Sequence, residues 1–84
     1  MKEKQFHTGD VYVAAAVTLQ IGKPPEFKTE KQKVLFVFPI SDELHKALNA
    51  FSSGVSLNAY EFAQMIKRLR AEMLMRKGQA GSTK

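Results

Sequence analysis

Five apolar residues in succession, Val34-Leu35-Phe36-Val37-Phe38, run into Pro39 in a chain of 84 residues. β-Branched and aromatic side chains fit a pleated surface. The run is also too short for an ordinary helix, so it predicts a strand over residues 33–38. Both alternations are apolar, which asks for cover on both faces, most simply by helices. A chain of this length is one domain whose core buries only about 60–65% of its unfolded surface. The strand is therefore expected at the centre of the fold.

The flanking segments supply the rest of the layers. Val11 to Ile21 is nearly all apolar and reads two ways. Val11, Tyr12, Val13, Val17, Thr18 and Ile21 favour a strand. Ala14, Ala15 and Ala16 favour a helix, as do a length of eleven residues, Thr8 or Asp10 as a cap, and Gly22 at the far end. The expectation is a helix. Pro24 and Pro25 break it, Glu26-Phe27-Lys28-Thr29 alternates as a short edge strand, and Glu30-Lys31-Gln32 forms a polar turn. Ser41, with Asp42 and Glu43 behind it, starts a second helix whose apolar face is Leu44, Ala47, Leu48 and Phe51. Ser52-Ser53-Gly54 stops that helix, and Val55-Ser56-Leu57 is a candidate third strand.

Asn58, three residues before Glu61, caps a last helix running to about Lys77. Phe62, Met65, Ile66, Leu69 and Met73 form one stripe along it. The expected fold class is α+β: a two- to three-stranded antiparallel sheet centred on residues 33–38 and packed by three helices. Residues 1–7 read as a flexible N-terminus, 8–77 as a single domain and 78–84 as a disordered tail.

The order of these features resembles a family of small bacterial and phage-associated proteins known only as a domain of unknown function. The residues that carry the resemblance are Thr8 to Ala16, Val34 to Phe38, Ser41 to Leu44, and Phe51, Gly54, Asn58, Tyr60, Phe62, Lys67 and Leu69. The family usually has Asp where Asn58 stands, and both residues cap helices. The resemblance implies the order helix, strand, strand, helix, helix and a cytoplasmic bacterial or phage setting. It carries no activity and no catalytic residues.

Composition limits the functions. With 44% hydrophobic and 25% charged residues the chain is expected to fold as a soluble domain. It has no Cys, so disulfides, thiolate metal sites and cysteine nucleophiles are all excluded. No apolar run approaches the roughly 18–20 residues of a membrane span, so no membrane partner is expected. Residues 1–5 lack the apolar stretch of a signal peptide, and the expected location is the cytoplasm. His7 and His45 lie on different elements without a companion at metal spacing. Asp42, Glu43 and Ser41 are explained by the helix start they occupy. The five glycines are scattered and form no phosphate cradle. Neither an enzyme, a cofactor, a metal nor a small-molecule substrate is indicated.

Two binding readings remain. The net charge is +5, and residues 61–84 hold six basic against two acidic side chains. Lys67, Arg70 and Lys77 form a basic edge on the last helix, at about 60–140° from Phe62. Glu61 and Glu72 flank Arg68, and Glu72 also reaches Arg76, so those two arginines are expected in intrahelical pairs. The free cations would give weak, salt-dependent nucleic-acid contact, against the plainer alternative of a solvated helix face. Leu74 and Met75 lie off the apolar stripe. With the edge strand near Phe27 they suggest a protein interface or a homodimer.

Overall fold

The computed structural model describes residues 4–81. Its elements are β1 (Gln5–Thr8), α1 (Val11–Ile21), β2 (Glu26–Glu30), β3 (Lys33–Pro39), α2 (Asp42–Ser52) and α3 (Ala59–Gly81). The strands form one antiparallel sheet in the order β1-β3-β2. The fold is α+β, with the apolar strand at the centre. Because β1 and β2 occupy opposite edges, the chain between them must cross the sheet, and α1 makes that crossing.

Burial around α1 explains its alanines. Ala14, Ala15, Ala16 and Val17 are all 0% exposed. At about 100° per residue, four successive positions cover the whole circumference of a helix. The middle turn of α1 is therefore covered on every side, and the helix packs against α2, α3 and β1. Only small side chains let so many neighbours approach at once. Gln20 ties α1 to α2: its Nε2 donates to the Ala16 and Ala47 carbonyls, each at 3.2 Å.

The ends of α1 are set locally. The Asp10 carboxylate accepts from the Tyr12 N–H at 2.9 Å and the Val13 N–H at 3.4 Å. Gly22 closes the helix in the left-handed region at φ 74°, its N–H donating to the Thr18 carbonyl at 2.8 Å. An Asp10→Ala variant is expected to lose about 1 kcal/mol of stability, read as a lowered midpoint in urea unfolding.

Strands β2 and β3 are joined by two residues, Lys31 and Gln32, at φ 50° and 68°. Positive φ at both central positions marks the turn that matches hairpin twist, and it normally selects Asn-Gly. Lys and Gln carry a Cβ penalty there. Replacing both, as Lys31→Asn with Gln32→Gly, is expected to raise stability by about 1–2 kcal/mol. No gain in unfolding midpoint would mean that Lys31 and Gln32 make compensating contacts.

Four details differ from the sequence reading. Residues 5–8 form strand β1 instead of a flexible end: they pair with β3, and Phe6 packs on the core. The third strand is therefore β1, while Val55-Ser56-Leu57 is irregular. The N–H of Val55 is used by the Ala50 carbonyl at 2.8 Å in the α2 terminus, with Gly54 at φ 87°. Helices cover only one face of β3. Phe6, Phe27, Phe36 and Phe38 meet the helices, whereas the other face sets Leu35 and Val37 among Gln5, His7, Glu26 and Lys28. Val37 is still only 4% exposed, with His7 and Glu26 beside it across the ladder. Last, α3 continues through Gly81 instead of stopping at Lys77. A mid-helix glycine costs only about 1 kcal/mol, which eighteen or so preceding helical residues can absorb. The remainder of the expected tail, residues 82–84, and residues 1–3 lie outside the described residues.

Candidate interaction surface on the last helix

Asn58 starts α3 as its position predicts, its Oδ1 accepting from the Glu61 N–H at 2.9 Å. Phe62, Met65, Ile66, Leu69 and Met73 face the core, and Leu69 is the most buried, at 3% exposed. Beyond Met73 the helix has no further residue in the core cluster. Leu74 and Met75 follow at 60% and 59% exposed. The 100° step of the helix turns both away from the core-facing stripe, while Arg76, one residue on, faces back to the sheet and reaches Phe27 on β2. An apolar pair is left on the outer surface of the helix.

The basic edge is present but partly occupied. Lys67, Arg70 and Lys77 are all exposed. Arg70 Nη2 donates to the Tyr12 hydroxyl at 3.4 Å, and its guanidinium lies 5.7 Å from the centroid of that ring. Tyr12, itself 47% exposed, was not visible as a site residue in the sequence. Only the packing of the α1 start against α3 brings it there.

Phe27 does not project as an interface side chain. Its ring packs on Phe36, centroids 5.4 Å apart, and Arg76 covers it with the guanidinium carbon 4.5 Å from the centroid. The inward alternation of β2 puts Phe27 on the helix-covered face, so only its backbone lies at the open sheet edge. Arg76 also pairs with Glu72 at 3.3 Å. This half-exposed pair contributes a few tenths of a kcal/mol. Glu72 is thereby engaged, and Arg68 makes no ion pair among the described residues, in contrast to its expected place between two glutamates.

His7 on β1 and His45 on α2 are both exposed and lie on separate elements. Among the described residues no group of three or more His, Asp or Glu is placed to hold a metal ion. Nor is any helix there long and apolar enough to cross a membrane. Comparison with family models, curated proteins and solved structures finds no match for this chain.

Proposed function

We propose that the chain is a non-enzymatic cytoplasmic interaction module that self-associates through the far end of α3. The observation that carries this reading is the adjacent exposure of Leu74 and Met75 off the core-facing stripe of the helix. A second copy packed on the same patch would form an isologous pair and would compensate for a thin, one-sided core. The open outer edges of β1 and β2 give the assembly a route to extend by strand pairing.

Salt sets the sign of the test. Lys67, Arg70 and Lys77 flank Leu74 on the same helix, so two copies meeting there bring like charges together. Raising salt from about 50 to 500 mM shortens the Debye length from about 14 to about 4 Å and relieves that repulsion. Self-association is expected to strengthen over this range, measured as average mass by light scattering. Weakening with salt would place ion pairs, and not Leu74 and Met75, at the interface.

Nucleic-acid contact is the second reading, favoured by the exposed Tyr12 ring beside Arg70. An aromatic next to a line of cations can stack a base while Lys67, Arg70 and Lys77 meet phosphates. Three phosphate contacts predict an affinity for labelled duplex DNA about fortyfold lower at 200 than at 50 mM salt. A Lys67→Glu, Arg70→Glu variant is expected to abolish the anisotropy change while its circular dichroism is unaltered. Undiminished binding by that variant would remove this reading.

A further inference from the structure

Leu74 and Met75 are too small a patch to hold two chains together by themselves, because a stable interface needs roughly 600–1,000 Å² from each partner. The contact must continue along the surface, and α3 offers one direction. Three of the five large hydrophobic side chains exposed among the described residues lie on this helix: Tyr60, at 72% exposed, with Leu74 and Met75. At about 100° per residue from Phe62, the side chains of Tyr60, Gln64, Lys67 and Ala71 fall at about 140–200°, opposite the core stripe. Leu74 and Met75 straddle that line, at about 120° and 220°. All six are exposed. They make one unpartnered strip, about 22 Å long at 1.5 Å per residue, with an apolar group at each end. Tyr60 also borders a cavity of about 320 Å³ with Leu19 and Met65 as its apolar wall, and Gln64 and Arg68 line it too.

We propose that two copies pair along this strip as antiparallel helices, so that Met75 enters the cavity beside the partner's Tyr60 while Leu74 packs on the partner's Tyr60 and the partner's Ala63. This rests on the self-association proposed above and fixes its register. The two-fold axis passes close to Lys67 and Arg68, midway between residues 60 and 75. Such an axis keeps each flank of the helix beside the same flank of its partner. Met75, at about 220°, is on the flank of the cavity, where Gln64 and Arg68 lie at about 200° and 240°. Its side chain is therefore aimed at that cavity. The small side chains of Ala63 and Ala71 let the two helices approach closely, and the cations at the axis are the groups whose repulsion salt relieves. The other isologous contact, Leu74 and Met75 on themselves, overlaps only the helix ends and leaves Tyr60 and its cavity bare.

The chain has no cysteine, so single introduced thiols report the register. Tyr60→Cys chains mixed with Met75→Cys chains at several hundred μM and oxidised mildly are expected to give mainly the mixed disulfide, read by intact mass. Tyr60→Ser is expected to weaken self-association roughly tenfold in sedimentation equilibrium. Its unfolding midpoint should match the parent's, because the side chain is already exposed. Lys67→Gln, which removes charge at the axis, is expected to associate several-fold more tightly at about 50 mM salt. Association unchanged in Tyr60→Ser, no gain in Lys67→Gln, or Met75→Cys joined chiefly to itself would each overturn this register and leave self-association standing. A parent that stays at the mass of one chain would remove both.

Discussion

Phe36→Ala is expected to destabilise the protein by about 3–5 kcal/mol, the usual cost of emptying a buried phenylalanine site. Phe36 is 0% exposed at the middle of the central strand. Its cross-strand neighbours are Thr8 on one side and Phe27 on the other. The cavity cannot collapse easily, because Phe36 shares its core cluster with the α1 alanines, which are already fully buried. A domain of this length has a total stability of roughly 4–13 kcal/mol, so the loss approaches the whole of it at the lower end. Thermal unfolding followed by far-ultraviolet circular dichroism should show a midpoint lowered by on the order of 15–30 °C. Leu35→Ala is the matched control, adjacent in sequence but on the face without helices. There the expected loss is about 1 kcal/mol. Equal losses at Leu35 and Phe36 would mean that a second covered layer exists.

Leu74→Asp with Met75→Asp is expected to weaken self-association by on the order of a hundredfold, since each copy loses two apolar side chains from the interface. Neither side chain belongs to the core cluster, so the monomer should unfold at nearly the parent's midpoint. That combination separates an interface from a core. A variant that dissociates because it unfolds would show both changes, whereas a variant that neither dissociates nor unfolds would leave Leu74 and Met75 as solvated helix residues. A single Leu74→Asp should give an intermediate effect.

Much of this fold was legible because local chemistry and tertiary demand agree. Asp10, Gly22, Ser41 and Asn58 stand at the helix boundaries their capping chemistry predicts. The 3.6-residue spacing of Phe62, Met65, Ile66, Leu69 and Met73 marks the buried face of α3, and the same spacing leaves Leu74 and Met75 outside it. What was not legible depends on partners distant in sequence. Gln5-Phe6-His7-Thr8 holds a single apolar residue, and nothing local separates it from a loose end; pairing with residues 36–39 makes it a strand. Val37 and Phe36 look alike in sequence, yet helices cover Phe36 while Val37 sits between His7 and Glu26. At the surface, the basic edge followed from helical spacing. The capture of Arg70 by Tyr12 and the cover of Phe27 by Arg76 are contacts between elements, and no spacing within α3 encodes them.

The most direct test of self-association through α3 is sedimentation equilibrium of the unmodified chain from about 10 μM to several hundred μM. The expected result is an average mass that rises with concentration toward twice 9.4 kDa and stays near one chain for the Leu74→Asp, Met75→Asp variant. A parent that remains at the mass of one chain across the whole range would contradict it.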